Sequence, residues 1–248
     1  ILMSATLDPL DRYHQELGIA PAESSLAIGW ADWRENAYDV AIDCRVDTRL
    51  KQRKQYYETS ARTIREISMG MNAAPLVVFF PSYRYAEDVQ AYLSAVDGSL
   101  RVSLQPRGVD LAQQEQFIDE SLICADVLFL IIGSSYAEGI DKLGGRVHSV
   151  IVVGPALPEV NPVQKAKMDM DPALGREAAF REVYLIPAMR RIHQALGRIV
   201  RAPGQQAKVL LHCKRYASEE YRSLLQPEYA TENFIRNVSE LQEWLGSQ

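Results

Sequence analysis

The feature that most constrains the fold is a set of short apolar runs separated by helical patterns. Leu76–Phe80 contains only apolar residues and lies between Pro75 and Pro81. A run of this length with no polar position indicates a strand that is buried on both faces, as in a parallel sheet. Comparable runs recur along the chain, and we predict strands at 38–43, 76–80, 101–104, 126–132, 147–153 and 208–213.

Helical patterns fill most of the intervals between these runs. Pro187 suits the first turn of a helix, and Pro203 with Gly204 suits its end. We predict helical segments at 48–68, 83–96, 111–124 and 218–245, with loop and short helix at 158–180. Strands that alternate with helices predict an α/β domain with a mostly parallel central sheet and helices on both faces. In such sheets ligands bind at the carboxyl ends of the strands.

Composition narrows the classes of partner. The chain has 248 residues, of which 47% are hydrophobic, and its formal net charge is −5. Any contact with nucleic acid therefore needs a local basic patch. No apolar run reaches the roughly eighteen residues of a membrane span, so we expect no membrane partner. We interpret the protein as cytoplasmic, and nucleoid-associated if its source is prokaryotic.

The three cysteines do not form a recognisable framework. Cys44, Cys124 and Cys213 are odd in number and far apart, and they form no C-x-x-C pair. We interpret them as buried or incidental thiols rather than as disulfide partners or metal ligands.

A stripe of polar residues near position 200 suggests phosphate chemistry. We predict that a helix runs through this segment, which places Arg190, Gln194, Gly197, Arg198 and Arg201 on one face and apolar residues on the other. Guanidinium forks match phosphate oxygens and keep their charge. The stripe is either a clamp on a transferring phosphoryl group or a solvated arginine-rich face.

Residues 194–201 read Gln-x-x-Gly-Arg-x-x-Arg and resemble the sixth motif of superfamily 2 helicases. Segments 4–7 (Ser-Ala-Thr-Leu), 77–83 (Val-Val-Phe-Phe-Pro-Ser-Tyr) and 134–141 (Ser-Ser-Tyr-Ala-Glu-Gly-Ile-Asp) resemble further motifs of the family, the last two those of its DinG/XPD branch, in the same order. The continuation 142–145 departs from that branch, in which an aromatic residue commonly follows the aspartate. The ordered set makes the chain similar to the second motor domain of a DinG/XPD-like DNA helicase.

The resemblance implies a RecA-like three-layer domain. It divides the chain into the end of the first motor domain and a connector (1–36) and the second motor domain (37–248). It implies ATP and Mg²⁺ as cofactors, held mainly by the missing first motor domain, where many members also carry an iron–sulfur cluster. No G-x-x-x-x-G-K-[ST] run occurs in this chain, so we expect the chain alone to be inactive. The partners implied are single-stranded DNA, with 5′-to-3′ movement, and the first motor domain.

The resemblance also implies a role for particular residues. Arg198 and Arg201 would be catalytic groups on the γ-phosphate. ATP would be bound by Gln194, Gly139 and Asp141 together with these two arginines. DNA would be bound by Ser82, Tyr83, Arg107, Ser134 and Ser135. Coupling between hydrolysis and strand movement would involve Ser4, Thr6 and Glu138.

Simpler interpretations remain open for several of these residues. Ser82 and Tyr83 also suit a helix cap with a half-buried ring, and Arg107 suits a plain turn. The three histidines at 148, 193 and 212 are interpreted as structural. For the whole chain, the alternative is a non-catalytic RecA-like module that binds nucleic acid or a partner, with its arginines serving only as anchors.

Overall fold

The computed structural model describes residues 31–70, 74–139, 141–170 and 175–247, together with a few isolated positions before residue 31. The described part contains a seven-stranded sheet in the order β3-β4-β2-β5-β6-β1-β7, and every paired strand is parallel. Its strands are β1 (Tyr38–Asp43), β2 (Leu76–Phe80), β3 (Val102–Leu104), β4 (Val127–Ile131), β5 (Ser149–Val152), β6 (Ala207–Leu211) and β7 (Phe234–Ile235).

Helices cover both faces of this sheet. They are α1 (Tyr57–Met69), α2 (Tyr83–Val96), α3 (Leu111–Cys124), α4 (Ser135–Glu138), α5 (Pro162–Asp169), α6 (Arg176–Phe180), α7 (Ile186–Leu196), α8 (Glu219–Arg222) and α9 (Val238–Gly246). Short 3₁₀ turns lie at Arg53–Tyr56, Lys214–Ala217 and Pro227–Tyr229. The predicted α/β architecture is therefore confirmed. The predicted boundary between residues 36 and 37 stays a prediction.

The alternation of side chains along each strand explains why the predicted strands are apolar throughout. In β2, Val77 and Phe79 pack on the face covered by α3, α4 and α7, whereas Leu76, Val78 and Phe80 pack on the face covered by α1, α2 and α9. All five side chains are completely buried. A strand between two helical layers has no position for a polar side chain.

The helix around Pro187 differs from the prediction at both ends. It does not begin at Pro187, because α6 runs through a π turn at Arg181–Leu185 directly into α7. Proline donates no backbone hydrogen bond, and the wider turn accommodates its ring within a continuous helix. It also does not reach Pro203 but ends at Leu196, followed by the cap Gly197. Gly197, Ile199 and Val200 all have low helix propensity.

Two other helical predictions were wrong in extent. In the interval 48–68 the helix begins only at Tyr57, because Asp47 accepts the backbone N–H of Arg49 and holds that segment in a turn. The tail after residue 218 is not one helix: the turn at Pro227–Tyr229 interrupts it, and the two-residue strand β7 then pairs with β1. None of the described helices is long and apolar enough to cross a bilayer.

Candidate nucleotide and nucleic-acid sites

The segment that carries Arg198 and Arg201 lies at the amino end of the sheet. The hydroxyl of Tyr38, the first residue of β1, donates to the carbonyl of Leu196 at 3.0 Å. Further along, the amide of Ala207 donates to the carbonyl of Ala37, which starts β6 beside β1. Both ends of the 197–206 loop are therefore fixed where β1 and β6 begin. The arginines follow the helix rather than lying on it, so the predicted helical stripe was wrong in form.

The two arginines nevertheless converge on one carboxylate. Arg201 Nη2 lies 2.5 Å from Asp141 Oδ2, and Arg198 Nη1 lies 3.9 Å from Asp141 Oδ1. The side chains of Arg198, Arg201 and Asp141 are 28%, 43% and 46% exposed, so the cluster faces solvent and is not sealed inside the domain. Both guanidinium groups thus reach a single anion at the surface of the domain.

Two glycines and a glutamine shape the backbone around this cluster. A Cβ on Gly144 would lie 2.5 Å from Arg201 Cγ, so only glycine admits the arginine stem at this distance. The side chain of Gln205 accepts the backbone N–H groups of Arg201 at 2.7 Å and Ala202 at 3.1 Å. The amide of Gly145 donates to the carbonyl of Ile199 at 3.2 Å. These contacts give a physical reason for the glycine pair at 144–145 that follows Asp141.

The remaining residues predicted to bind ATP or to couple its hydrolysis lie on α7, at the end of α4 or outside the described residues. Gln194 is half-buried on α7, one turn before Arg198. Gly139 ends α4 and donates its amide to the carbonyl of Ser135 at 2.7 Å. Ser4, Thr6 and the side chain of Glu138 lie outside the described residues. Within the described part, no group of three or more histidine, cysteine or carboxylate side chains is arranged to hold a metal ion.

A second cluster lies at the carboxyl ends of three adjacent strands, β3, β4 and β2. Gln105 follows β3 and is 98% buried, with its amide group between Tyr83 and Ser134. Its Nε2 donates to Tyr83 Oη at 2.6 Å, and its Oε1 accepts from the amide of Ile131 at 2.7 Å and from Ser134 Oγ at 3.2 Å. One side chain thus joins the loops that resemble the fourth and fifth helicase motifs.

The sequence interpretation gave Gln105 no role. The available signal was a polar residue directly after a strand, at the edge where ligands of parallel sheets bind. Tyr83 gains a further restraint, because its hydroxyl donates to the carbonyl of Pro106 at 3.2 Å. Its ring is held on one side by the guanidinium of Arg107, whose carbon lies 4.3 Å from the ring centroid.

The other three residues predicted to bind DNA also make contacts within the domain. Ser82 caps α2 by accepting the amide of Tyr85 at 3.4 Å, as the simpler interpretation of this loop expects. Arg107 is exposed and pairs with Glu87. Ser135 donates to the side-chain oxygen of Gln114. Tyr83, Ser134 and Arg107 form one surface, with Ser135 on the next turn.

The two clusters therefore lie at opposite ends of the strands. The expectation that ligands sit at the carboxyl ends fits the cluster around Tyr83. It does not fit the arginine cluster, which precedes β6 rather than following a strand. The sequence motifs give no information about this separation, because it depends on α7 running back from the carboxyl edge of the sheet to the amino edge.

The histidines at 148, 193 and 212 occupy three different environments. His193 is buried, its Nε2 has no hydrogen-bond partner, and its ring stacks on Tyr229 with a centroid distance of 5.6 Å. Burial lowers the pKa of His193 from 6.5 to about 4. His212 is fully buried at the end of β6, with Nδ1 2.7 Å from Asp43 Oδ2 and Nε2 2.9 Å from Ser60 Oγ. His148 is exposed at the start of β5.

The fold and the two clusters define a RecA-like α/β domain of the kind found in nucleic-acid motors. Residues 64–231 match the model of the helicase C-terminal domain family, and the chain belongs to that family. Its fold is that of the corresponding domain in XPD helicases: it superposes on a solved XPD helicase with a TM-score of 0.71 and 22% identity, over 95% of this chain and 42% of that one. With Xpd4 from S. tokodaii the TM-score is 0.56 at 16% identity, over 81% of this chain and 39% of that one.

A curated relative agrees with this assignment. The ATP-dependent DNA helicase CHL1 of Candida albicans is 22% identical over 229 residues, which cover 84% of this chain and 26% of the relative. The chain thus spans about a quarter of the length of this relative and about two fifths of the XPD structures.

Proposed function

We propose that this chain is the second motor domain of an ATP-dependent DNA helicase that moves 5′ to 3′ along single-stranded DNA. The observation that carries the proposal is the convergence of Arg198 and Arg201 on the exposed carboxylate of Asp141. Two permanent cations held at the surface around one anion suit an incoming phosphate. The loop that cradles the other phosphates belongs to the first motor domain of the complete protein.

In this proposal the arginines exchange one anion for another. In the free domain Asp141 keeps the two guanidinium groups together. When the first motor domain presents ATP, Arg201 and Arg198 bind the oxygens of the terminal phosphate, and Asp141 supports them from behind. Water then attacks the γ-phosphorus, the bond to the bridging oxygen breaks, and ADP and phosphate leave. Fixed positive charge stabilises the negative charge that spreads over the transferring group.

The described residues around Asp141 do not fit a magnesium site. Asp141 is the acidic side chain of the cluster, and both of its oxygens already face arginines. The residues around it supply cations rather than the additional oxygen ligands that Mg²⁺ requires. The ion that neutralises the phosphates is therefore assigned to the first motor domain, and no step here depends on it.

At the carboxyl edge, Tyr83 offers a ring and Ser134 a hydroxyl to the DNA strand. Aromatic faces stack on bases without regard to sequence, which suits a motor that moves along any strand. Arg107 beside the ring supplies a cation near the phosphates. In the family, closure of the cleft between the two motor domains moves the strand, and we extend that mechanism to this protein.

The test is the DNA-stimulated ATPase of the full-length protein that contains this chain. Arg198→Ala should lower turnover about 10³-fold or more while leaving nucleotide affinity within a few-fold. Arg62→Ala is the matched control, because Arg62 is an exposed arginine that pairs with a carboxylate, Glu58, on α1, which packs on the opposite face of the sheet from α7. Turnover of Arg198→Ala within a few-fold of the unchanged protein would contradict the proposal.

The same experiment addresses the alternative, a non-catalytic RecA-like binding module. If that alternative is correct, the full-length protein has no ATPase activity. In either case the 248-residue chain alone should not hydrolyse ATP, because its sequence contains no phosphate-cradling lysine loop. Hydrolysis by the purified chain would refute the division of labour between the two motor domains.

A further inference from the structure

A basic segment lies beside the cluster around Tyr83, and neither the motifs nor the proposed function account for it. Residues 45–54 follow β1 and read Arg-Val-Asp-Thr-Arg-Leu-Lys-Gln-Arg-Lys, and residues 214–215, after β6, add Lys-Arg. These two segments together are called the basic track here. They contain seven cations in a chain whose formal net charge is −5. Such a local excess needs a physical explanation.

The two segments of the basic track form one surface at the carboxyl edge of the sheet. The amide of Lys214 donates to the carbonyl of Val46 at 2.9 Å. Arg215 Nη2 donates to Thr48 Oγ1 at 3.1 Å, and Thr48 Oγ1 in turn donates to the sulfur of Cys213 at 3.1 Å. The loops after β1 and β6 are thereby joined into a single ridge.

One buried carboxylate, Asp47, holds part of this ridge in place and leaves its other exposed cations unpaired with it. Asp47 is almost fully buried and pairs with Arg49 and with Lys214, whose ammonium lies 3.2 Å away. The hydrogen bond from Arg49 is the main reason that the pKa of Asp47 lies well below its usual range. Arg49 and Lys214 are about half exposed. Lys51 and Lys54 are exposed beyond them.

The basic track reaches the cluster around Tyr83 across the end of β5. At Gly154, which follows β5 with φ 68°, a Cβ would lie 2.1 Å from Thr48 Oγ1, so the ridge rests directly on that strand end. At the end of residues 45–54, the guanidinium carbon of Arg53 lies 4.6 Å from the centroid of the Tyr85 ring. Tyr85 lies in α2, two residues after Tyr83. The ridge therefore runs along the edge from β1 to the start of α2.

We propose that the basic track binds the phosphate backbone of single-stranded nucleic acid and extends the surface around Tyr83 and Ser134 into one continuous path. Strands in a sheet lie about 4.8 Å apart, so the path from the end of β4 to the end of β1 is about 19 Å long, enough for several phosphates. Cations without base-reading partners fit the sequence-independent backbone. The inference rests on the proposed function and adds a second contact region to it.

The experiment measures binding of the 248-residue chain to fluorescein-labelled oligothymidylate by anisotropy over a range of salt concentrations. Lys51→Glu with Lys54→Glu should weaken binding about 20-fold or more at 0.1 M salt. The slope of log K against log salt should become shallower by about 1.4, since each phosphate contact on a single strand contributes about 0.7. The matched control is Lys165→Glu with Lys167→Glu on α5, two exposed lysines with the same change in charge. The control should remain within threefold of the unchanged chain.

A variant that adds a positive charge tests the same path and leaves all the native lysines and arginines in place. Gln55→Lys adds a cation next to Lys54 on an exposed turn, and should tighten binding by about fivefold through one further phosphate contact. Equal weakening by both lysine pairs, or no change in the salt slope of Lys51→Glu with Lys54→Glu, would overturn the proposal.

Failure of this inference is distinguishable from failure of the proposed function. If Tyr83→Ala weakens binding but the charge changes in the basic track do not, the track is refuted and the DNA surface around Tyr83 stands. If the unchanged chain does not bind oligothymidylate at all, the track and the single-stranded DNA partner are both refuted. The role of Arg198 and Arg201 is judged separately, by ATPase activity.

Discussion

Replacing Gln105 by leucine should destabilise the domain more than any substitution of an exposed amide. The buried side chain of Gln105 accepts the amide of Ile131 and donates to Tyr83 Oη. Leucine removes both contacts. Ser134 keeps a bond to the carbonyl of Ile131 at 2.6 Å, and Tyr83 keeps Pro106. The main loss is therefore the buried N–H of Ile131, which costs about 1–3 kcal/mol when left without a partner.

The loss of the bond to Tyr83 brings the expected decrease in the free energy of unfolding to about 2–3 kcal/mol. For a domain of this size that corresponds to a melting temperature lower by about 5–10 °C. The assay is thermal and urea unfolding of the chain, followed by circular dichroism. Gln116→Leu is the control, because Gln116 is exposed and bonds only to Glu120 one turn away; it should change stability by less than about 0.5 kcal/mol.

A Gln105→Leu chain as stable as the Gln116→Leu chain would refute the reasoning that one amide joins the two loops. A loss of stability with unchanged affinity for oligothymidylate would refute a different step, namely that the position of Tyr83 matters for the proposed DNA contact. The two measurements therefore test the fold and the function of this cluster independently.

Two further predictions concern stability. His193 is neutral in the folded chain, with a pKa of about 4 against 6.5 when unfolded. Its contribution to the free energy of unfolding is therefore complete above pH 6.5 and is lost as the pH falls towards 4, by about 3 kcal/mol at most. His193→Phe keeps the ring on Tyr229 and should flatten the pH dependence of urea unfolding in that window, whereas an unchanged pH profile would contradict the assignment. Gly154→Ala places a Cβ against Thr48 Oγ1 and should lower the free energy of unfolding by about 3 kcal/mol or more. The control is Gly204→Ala, also at positive φ but with open space around it, which should lower it by only about 1 kcal/mol. Similar losses of stability for the two variants would show that the ridge does not press on β5.

The strands and the helices α2 and α3 could be predicted because burial leaves a direct trace in the sequence. β2 has apolar residues on both faces, since helices cover both sides of the sheet. The helices 83–96 and 111–124 were predicted with the bounds that the structure shows, because Ser82 and Asp110 cap them with their own side chains. In each case the information is local, and short patterns carry it.

The remaining features depend on contacts between distant segments. The position of the loop after α7 is fixed by Tyr38, which bonds to Leu196 from 158 residues earlier in the chain. The strand β7 has only two residues, too few for any periodicity, and exists because β1 offers it an edge. Gln105 gains its importance from partners 22 and 26 residues away. No sequence pattern of the length used here contains such information.

The candidate site was predicted only in part, because some of its residues depend on contacts between distant segments. The motif resemblance indicated Arg198, Arg201 and Asp141 together, and the structure brings all three into one cluster. It did not indicate the helix end before the arginines, the glycine at 144 that admits Arg201, or the basic track. Arg198, Arg201 and Asp141 lie inside the motif segments and were found, whereas Gln105 and Gly144 lie outside those segments and were missed.

The central claim is that Arg198 and Arg201 reach the terminal phosphate of ATP held by another domain. The most direct measurement is labelling of the full-length protein with an ATP analogue that carries a photoreactive group on its γ-phosphate, followed by peptide mapping. The account predicts a labelled peptide that contains residues 198–201, with labelling suppressed by excess ATP. Labelling confined to the first motor domain, or labelling of 198–201 that excess ATP does not suppress, would contradict it.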